Sequence, residues 1–274
     1  MSGSLPLNYK TVILAMQGVW YKMENAPTSF LMGLSHVREV QIHQSLPSTN
    51  TYAKELLNSA NDHGTVIWAL EQTHGRGRLG RAWLSDSTSL TFSLIWRFPN
   101  YDKTALIPLA VGLGIVQALQ IFSDELRVKW PNDVWAKGGK VAGILCESCR
   151  NEQGIWVIVG IGINVNQSAI NASLGAVSLE ELTGCPLPRL AVLIEALQGA
   201  DHGLNRLLNG ELDLSTDFER YGNFLHRRII LHSQGSLRPA IARRVLPDGR
   251  LVVEDEAGGL AVVMPDEVSL RFPE

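Results

Sequence analysis

The stretch Gly75-Arg76-Gly77-Arg78-Leu79-Gly80-Arg81 constrains this chain most, because of what stands on either side of it. Letter for letter it satisfies G-x-G-x-x-G, and a dinucleotide-binding fold needs that loop to run from a strand into a helix. The short apolar run Thr65–Leu70 supplies the strand. After the loop come Ala82-Trp83-Leu84-Ser85-Asp86-Ser87-Thr88. Then Leu90, Phe92, Leu94 and Trp96 alternate with Thr91, Ser93, Ile95 and Arg97, the period of a second strand. Strand, loop, strand excludes the doubly wound fold. The loop reads better as an anion-binding turn: glycines let its backbone fold closely, and guanidinium forks match carboxylate and phosphate oxygens. The competing reading is a solvated surface turn, against which stand three arginines beside Trp83.

Around the loop the elements alternate in type. Ser48-Thr49-Asn50 stand before Ala53, Leu56, Leu57 and Ala60, a one-face helical spacing with cap candidates in front, and Asn61-Asp62-His63-Gly64 stops that helix. Leu106–Phe122, interrupted only by Gly112 and Gly114, reads as a buried helix. Arg127–Trp130, Val134–Ala136, Val141–Glu147 and Ile155–Val165 read as strands between Pro-Asn-Asp and Gly-Gly turns. Leu190–Leu208 and about Ser215–Phe224 read as helices. The tail holds five short strands, Arg228–His232, Arg238–Val245, Arg250–Glu254, Leu260–Met264 and Val268–Arg271, whose even spacing predicts a small all-β barrel. The fold class is therefore α+β with a β mini-domain behind it. Residues 1–41 show broken periodicity and read as an extension, either a helix or a loosely attached arm.

Composition removes several function classes. The 274 residues carry 24 Lys+Arg against 27 Asp+Glu, a net charge of −3, so no basic coat for nucleic acid or membrane is present. No apolar run reaches the 18 or so residues of a membrane span. Thr11–Met16 looks like a weak signal core, but its positive flank is only Lys10 and no small-x-small site follows. With three cysteines and no disulfide framework, a cytoplasmic protein is expected. Cys146 and Cys149 form a C-x-x-C without a second pair at zinc spacing, so small residues at a strand end are preferred to a metal or redox site. Gly139-Lys140 is no P-loop, since Val141 follows and no glycine stands five positions before Gly139.

The same composition makes local charge informative. Lys129-Trp130-Pro131-Asn132-Asp133 and Gly138-Gly139-Lys140-Val141-Ala142-Gly143 each set a lysine near a forced turn. Joined to Arg76, Arg78 and Arg81 they would make five cations in one place, enough to gather two anionic substrates that repel each other. Gly160-Ile161-Gly162-Ile163-Asn164-Val165-Asn166 reads as a strand whose glycines admit a ligand or another backbone, with Asn164 a polar side chain in an apolar run.

Taken in order and spacing, these motifs resemble those of biotin–protein ligases over about residues 40–274. The resemblance implies a class II synthetase-like catalytic domain of mixed or antiparallel sheet with helices over 42–222. It also implies an SH3-like β-barrel over 223–274, behind an extension of unknown role over 1–41. It implies two reaction steps: the biotin carboxylate attacks the α-phosphorus of ATP, with magnesium assisting, to give biotinyl-5′-AMP. A lysine of a biotin carboxyl carrier domain then takes the acyl group. Lys140, Arg76 and Arg78 are the catalytic residues so implied. Biotin would meet Ser48, Thr49, Asn50, Gln72, Gly75, Arg76, Gly77, Arg78 and Lys140. ATP would meet Arg78, Arg81, Trp83, Lys129, Asn132, Lys140 and Asn164, and no protein ligand to a metal is assigned.

Three departures stand out. Leu79 takes a slot that is arginine in some members, and Ala176 one where some place a tryptophan over adenine. Residues 1–41 are too short and too poor in basic residues for the helix-turn-helix of regulatory members, so a monofunctional ligase without nucleic-acid or membrane partners is expected. Monomer and homodimer both remain open. Two other readings are a lipoate ligase, which shares fold and adenylation logic, and a plain ligand- or nucleic-acid-binding module built on the arginine loop.

Overall fold

A computed structural model describes residues 11–16, 19–23, 33–57, 62–98, 101–152, 154–166, 175–233, 236–265 and 268–272. Nine strands form one mixed sheet: β1 (Thr11–Met16), β2 (Val19–Met23), β3 (Glu39–His43), β4 (Thr65–Ala69), β5 (Leu90–Phe98), β6 (Arg127–Lys129), β7 (Asp133–Ala136), β8 (Gly139–Asn151) and β9 (Gly154–Ile163). Their order is β2-β1-β3-β4-β5-β9-β8-β7-β6. The pairs β1–β3 and β3–β4 are parallel and the rest antiparallel. Thr11–Met16, which resembles a signal core but lacks its flank and cleavage site, lies in the sheet. Neither a helix nor a loose arm describes residues 11–16 and 19–23, which are strands continuing the sheet beyond β3.

Helices cover both faces. On one, α1 (Thr49–Leu56) lies over the sheet, with Ala53 and Leu57 packed among Ile67, Ile95, Trp156 and Ile158. Ser48 caps it, its hydroxyl accepting from Thr51 N. On the other, α2 (Ile107–Leu119) and α4 (Arg189–Asn209) lie side by side against the larger core. Gly114 of α2 is a contact point: a Cβ there would run into the carbonyl of Gly199 on α4, so the helices touch backbone to backbone. Two short helices, α3 (Leu179–Thr183) and α5 (Leu214–Tyr221), complete the set; α3, held by a capping box of Ser178 and Glu181, had no counterpart in the sequence reading.

The tail differs from expectation in closure. Five strands form as anticipated: β10 (Arg228–Ser233), β11 (Ser236–Val245), β12 (Leu251–Glu254), β13 (Leu260–Val263) and β14 (Ser269–Arg271). They make an open sheet in the order β13-β12-β11-β10-β14, not a closed barrel. Both end strands are only three or four residues long and pair on one side alone among the described residues. The inner face is filled from the larger unit instead. Ile229, Leu231, Val245, Leu251 and Leu270 belong to the same apolar cluster as Trp130, Leu109 and Phe218. Trp130 Nε1 also donates to Gly249 O, at 2.9 Å.

Candidate active site

The loop at 75–81 is a tight hairpin. Arg76 and Ala82 form an antiparallel bridge, Gly77 N donates to Arg81 O at 2.7 Å, and Trp83 N donates to Gly75 O at 2.9 Å. A Cβ on Gly75 would strike the Trp83 carbonyl, so Gly75 lets the two arms close. Leu79 turns outward in the left-handed region, φ 55°. No helix follows, so the exclusion of a dinucleotide-binding loop holds.

Beneath this hairpin lies a cavity of about 1300 Å³. Ser48, Thr49, Asn50, Gln72, Arg76, Gly77, Arg78, Arg81, Trp83, Lys129, Asn132, Lys140 and Asn164 all line it. Gly75 alone of the expected residues does not, and faces a second hollow behind the hairpin. Ala176 lines it too.

At one end the walls are neutral and polar. Gln72 Oε1 accepts from Thr49 N at 2.7 Å and from Thr49 Oγ1 at 3.1 Å, and Ser93 Oγ lies 2.7 Å from Thr49 Oγ1. Asn50 is fully engaged by protein: its Oδ1 is 2.6 Å from Ser93 Oγ, and its Nδ2 donates to Leu145 O and Glu147 Oε2. Gly160 makes room for it, since a Cβ there would overlap the Asn50 amide. Gly162 does the same for the indole of Trp83. The glycines of β9 are thus vacated for two side chains of the site.

At the other end the walls are cationic. Lys140 Nζ pairs with Asp133 Oδ1 at 2.6 Å and stands 5.4 Å over the Trp83 ring. Asn164 lines the cavity but spends its amide on the Lys140 carbonyl, at 3.0 Å. Arg78 donates to Asn132 Oδ1 at 2.9 Å and to the carbonyl of Pro265 in the tail, while Asn132 Nδ2 holds Ile144 O at 2.7 Å. Lys129, 5% exposed, lies 3.6 Å over the Trp135 ring and 5.2 Å from that of Phe272. Burial lowers its pKa to about 8; Lys140, Arg271 and Arg81 push the same way, and Asp133 opposes them.

The tail completes this end with residues that sequence reasoning missed. Asn223, Arg227, Arg271 and Phe272 line the cavity, bringing two further cations to the expected five. Trp83 Nε1, Trp135 Nε1 and Asn223 Oδ1 are buried there without a hydrogen-bond partner, polar atoms of the kind that a bound molecule satisfies. Among the described residues no three His, Cys, Asp or Glu side chains stand together as a metal cage. The lining carboxylate, Asp133, is already paired with Lys140. Magnesium ions are held mostly by water and substrate phosphates with one or two carboxylates, and Asp133 is the lining carboxylate that could contribute one oxygen. Cys146 and Cys149 point to opposite faces of β8, into the two different apolar clusters, and burial pushes the Cys146 thiol pKa up. They cannot act as a pair. No helix among the described residues is long and apolar enough to cross a membrane.

Comparisons with known proteins agree with this geometry. Residues 42–164 match the Biotin/lipoate A/B protein ligase family. The chain is 30% identical over 240 residues to the bifunctional ligase/repressor BirA of Escherichia coli, covering 84% of this chain and 73% of that protein. It is 29% identical to the biotin–[acetyl-CoA-carboxylase] ligase of Mycobacterium tuberculosis, over 85% of this chain and 90% of that one. Among solved structures, the biotin protein ligase of Aquifex aeolicus in complex with biotin and ATP superposes with a TM-score of 0.74 at 31% identity. That match covers 85% of this chain and 98% of that one. With a polar pocket and a cation cluster on one sheet, and relatives matched over most of their length, the chain belongs to the biotin protein ligases of the biotin/lipoate A/B protein ligase family.

Proposed function

We propose that this protein activates biotin with ATP as biotinyl-5′-AMP and transfers the acyl group to a lysine of a biotin carboxyl carrier domain. One observation carries the reading. A single cavity joins a neutral, hydrogen-bonding end (Ser48, Thr49, Gln72) to an end where Arg78, Arg81, Lys129 and Lys140 gather. The first suits an uncharged polar ring system. The second suits a carboxylate and a triphosphate, which repel each other in water and need cations fixed where charge develops.

In this reading Lys140 sits between the two anions. Its present partner, Asp133, holds the ammonium in the cavity until a carboxylate or phosphate oxygen competes for it. Asn164 fixes the backbone from which that side chain springs. Arg78, Arg81 and Lys129 face the phosphates, and Arg76 and Gly77 cover the acid. The acyl-adenylate is open to hydrolysis, so a hairpin lying across the cavity has the further task of keeping water out.

The deciding experiment is the intact mass of a biotin carboxyl carrier domain after incubation with the protein, ATP and either biotin or lipoate. A gain of one biotinyl group with biotin alone is expected. A gain with lipoate and none with biotin would reassign the substrate. No gain with either, together with salt-sensitive oligonucleotide binding, would favour a binding module.

A further inference from the structure

Glu147, on β8, is absent from the residues read out of the sequence, yet its carboxylate is engaged on two sides. Arg76 grips it in a fork, Nη2 to Oε1 at 3.1 Å and Nη1 to Oε2 at 3.3 Å. Oε2 also accepts from Asn50 Nδ2 at 2.8 Å. Asn50 is fixed from behind by Ser93, Leu145 O and the room left at Gly160. A polar line therefore runs Ser93, Asn50, Glu147, Arg76, from the interior of the sheet to the hairpin over the cavity. Two residues further on, Arg78 is tied on the other side to Asn132 and Pro265. The hairpin is strapped down at both sides, and Glu147 is the anchor at the neutral end.

We propose that Glu147 is a positioning residue for the ligase reaction. By clamping Arg76 it holds the hairpin over the acid-binding end and retains the acyl-adenylate until the acceptor lysine arrives. The proposal rests on the ligase reading of the cavity. Its physics follows from exposure: the side chains are 49% and 26% exposed for Arg76 and Glu147, so the pair is partly in water, modest in strength and sensitive to salt. Such a pair biases a loop toward closure yet lets it open for exchange. Asn50 keeps the carboxylate in place while the guanidinium is away, so the latch has a fixed catch.

The test uses Glu147→Gln, which removes the charge while its amide oxygen can still accept from Asn50. Adenylate is formed in a single turnover from biotin and ATP, and its release is followed after dilution, alongside the labelling of bystander lysines. Release is expected to accelerate about two- to fivefold in E147Q, the scale of one part-exposed ion pair, with the pyrophosphate burst retained. In an Arg76→Gly background the same substitution should add nothing, because its partner is gone. Release from the parent should quicken with added sodium chloride, and release from Arg76→Gly should respond less. Equal release by E147Q and the parent overturns the proposal, as does an undiminished effect of E147Q in the Arg76→Gly background. Should E147Q fail to fold, the salt series on the parent and Arg76→Gly decides, and equal salt dependence overturns it. A parent that forms no adenylate from biotin and ATP overturns the ligase reading itself, and this proposal with it.

Discussion

Lys140 and Asp133 meet at 2.6 Å because the ladder between β7 and β8 is irregular. Asp133 pairs with Gly143 and Val134 with Ala142, but Trp135 pairs with Lys140, so Val141 is passed over. In an unbroken antiparallel ladder Lys140 would fall on the face opposite Asp133. The bulge turns it to the same face, where Gly143 leaves the space: a Cβ at that position would lie 2.7 Å from Lys140 Nζ. The spacing Lys140-Val141-Ala142-Gly143 thus encodes a kink, a core residue and an opening for the ammonium.

From this follows the first prediction. Lys140→Ala should lower pyrophosphate release with biotin and ATP by about a hundredfold or more, the cost of removing a fixed charge from a developing anion. Far-UV circular dichroism should not change, since the side chain is part-exposed and its backbone is held by Gly175 O, Val177 N and Asn164. Unchanged pyrophosphate release would take Lys140 out of the reaction.

Gly162→Ala tests the packing of Trp83. The added methyl would meet the indole, which must then leave its place over Lys140. Overpacking of this kind costs about 1–3 kcal/mol, so the KM for ATP is expected to rise roughly tenfold while the protein still folds. An unaltered KM would mean that Trp83 has no part in holding the nucleotide.

How much of this was legible follows from distance along the chain. The hairpin at 75–81 was readable because its glycines, its cations and its closing Trp83 are near neighbours. Ser93 was not. Alternation predicts a polar, outward face for Thr91 and Ser93, but both are buried: Ser93 joins Thr49 to Asn50 beneath α1, and Thr91 lines the cavity. Nothing in the strand's own letters says which helix will lie on it. Arg227, Arg271 and Phe272 were equally hidden, because they reach the cavity only once the tail docks on the larger sheet. The five tail strands were visible as strands, whereas closure depends on whether β13 and β14 find each other, and here they do not. The cysteines could have been settled by arithmetic: three positions apart on a strand, they face opposite ways.

Arg76→Gly should let the adenylate escape. The hairpin would keep its Arg78 tie to Asn132 and Pro265 but lose its grip on Glu147. Labelling of bystander lysines in a protein mixture, read by mass spectrometry, is expected to rise several-fold over the parent. Labelling no higher than the parent's would show that Arg76 does not retain the intermediate.

Lys129 makes a prediction about pH whose two halves run in opposite directions. Its pKa in the folded protein is lowered from 10.5 to about 8, chiefly by burial. Above about pH 8 the folded chain therefore loses this charge while the unfolded chain keeps it up to about 10.5. The unfolded state then binds more protons, so this group makes stability rise with pH between those values and leaves it flat below pH 8. Nucleotide binding should do the reverse. A triphosphate prefers the charged ammonium, so the KM for ATP should climb from pH 7 to pH 9. Lys129→Met removes the titrating group: it should bind ATP weakly throughout and lose that climb. Arg271→Ala removes one of the cations that depress Lys129, and its climb should begin at higher pH. The checks are KM for ATP against pH for the three proteins and the thermal midpoint over the same range. A KM profile in Lys129→Met that still follows the parent's would assign the titration to another group.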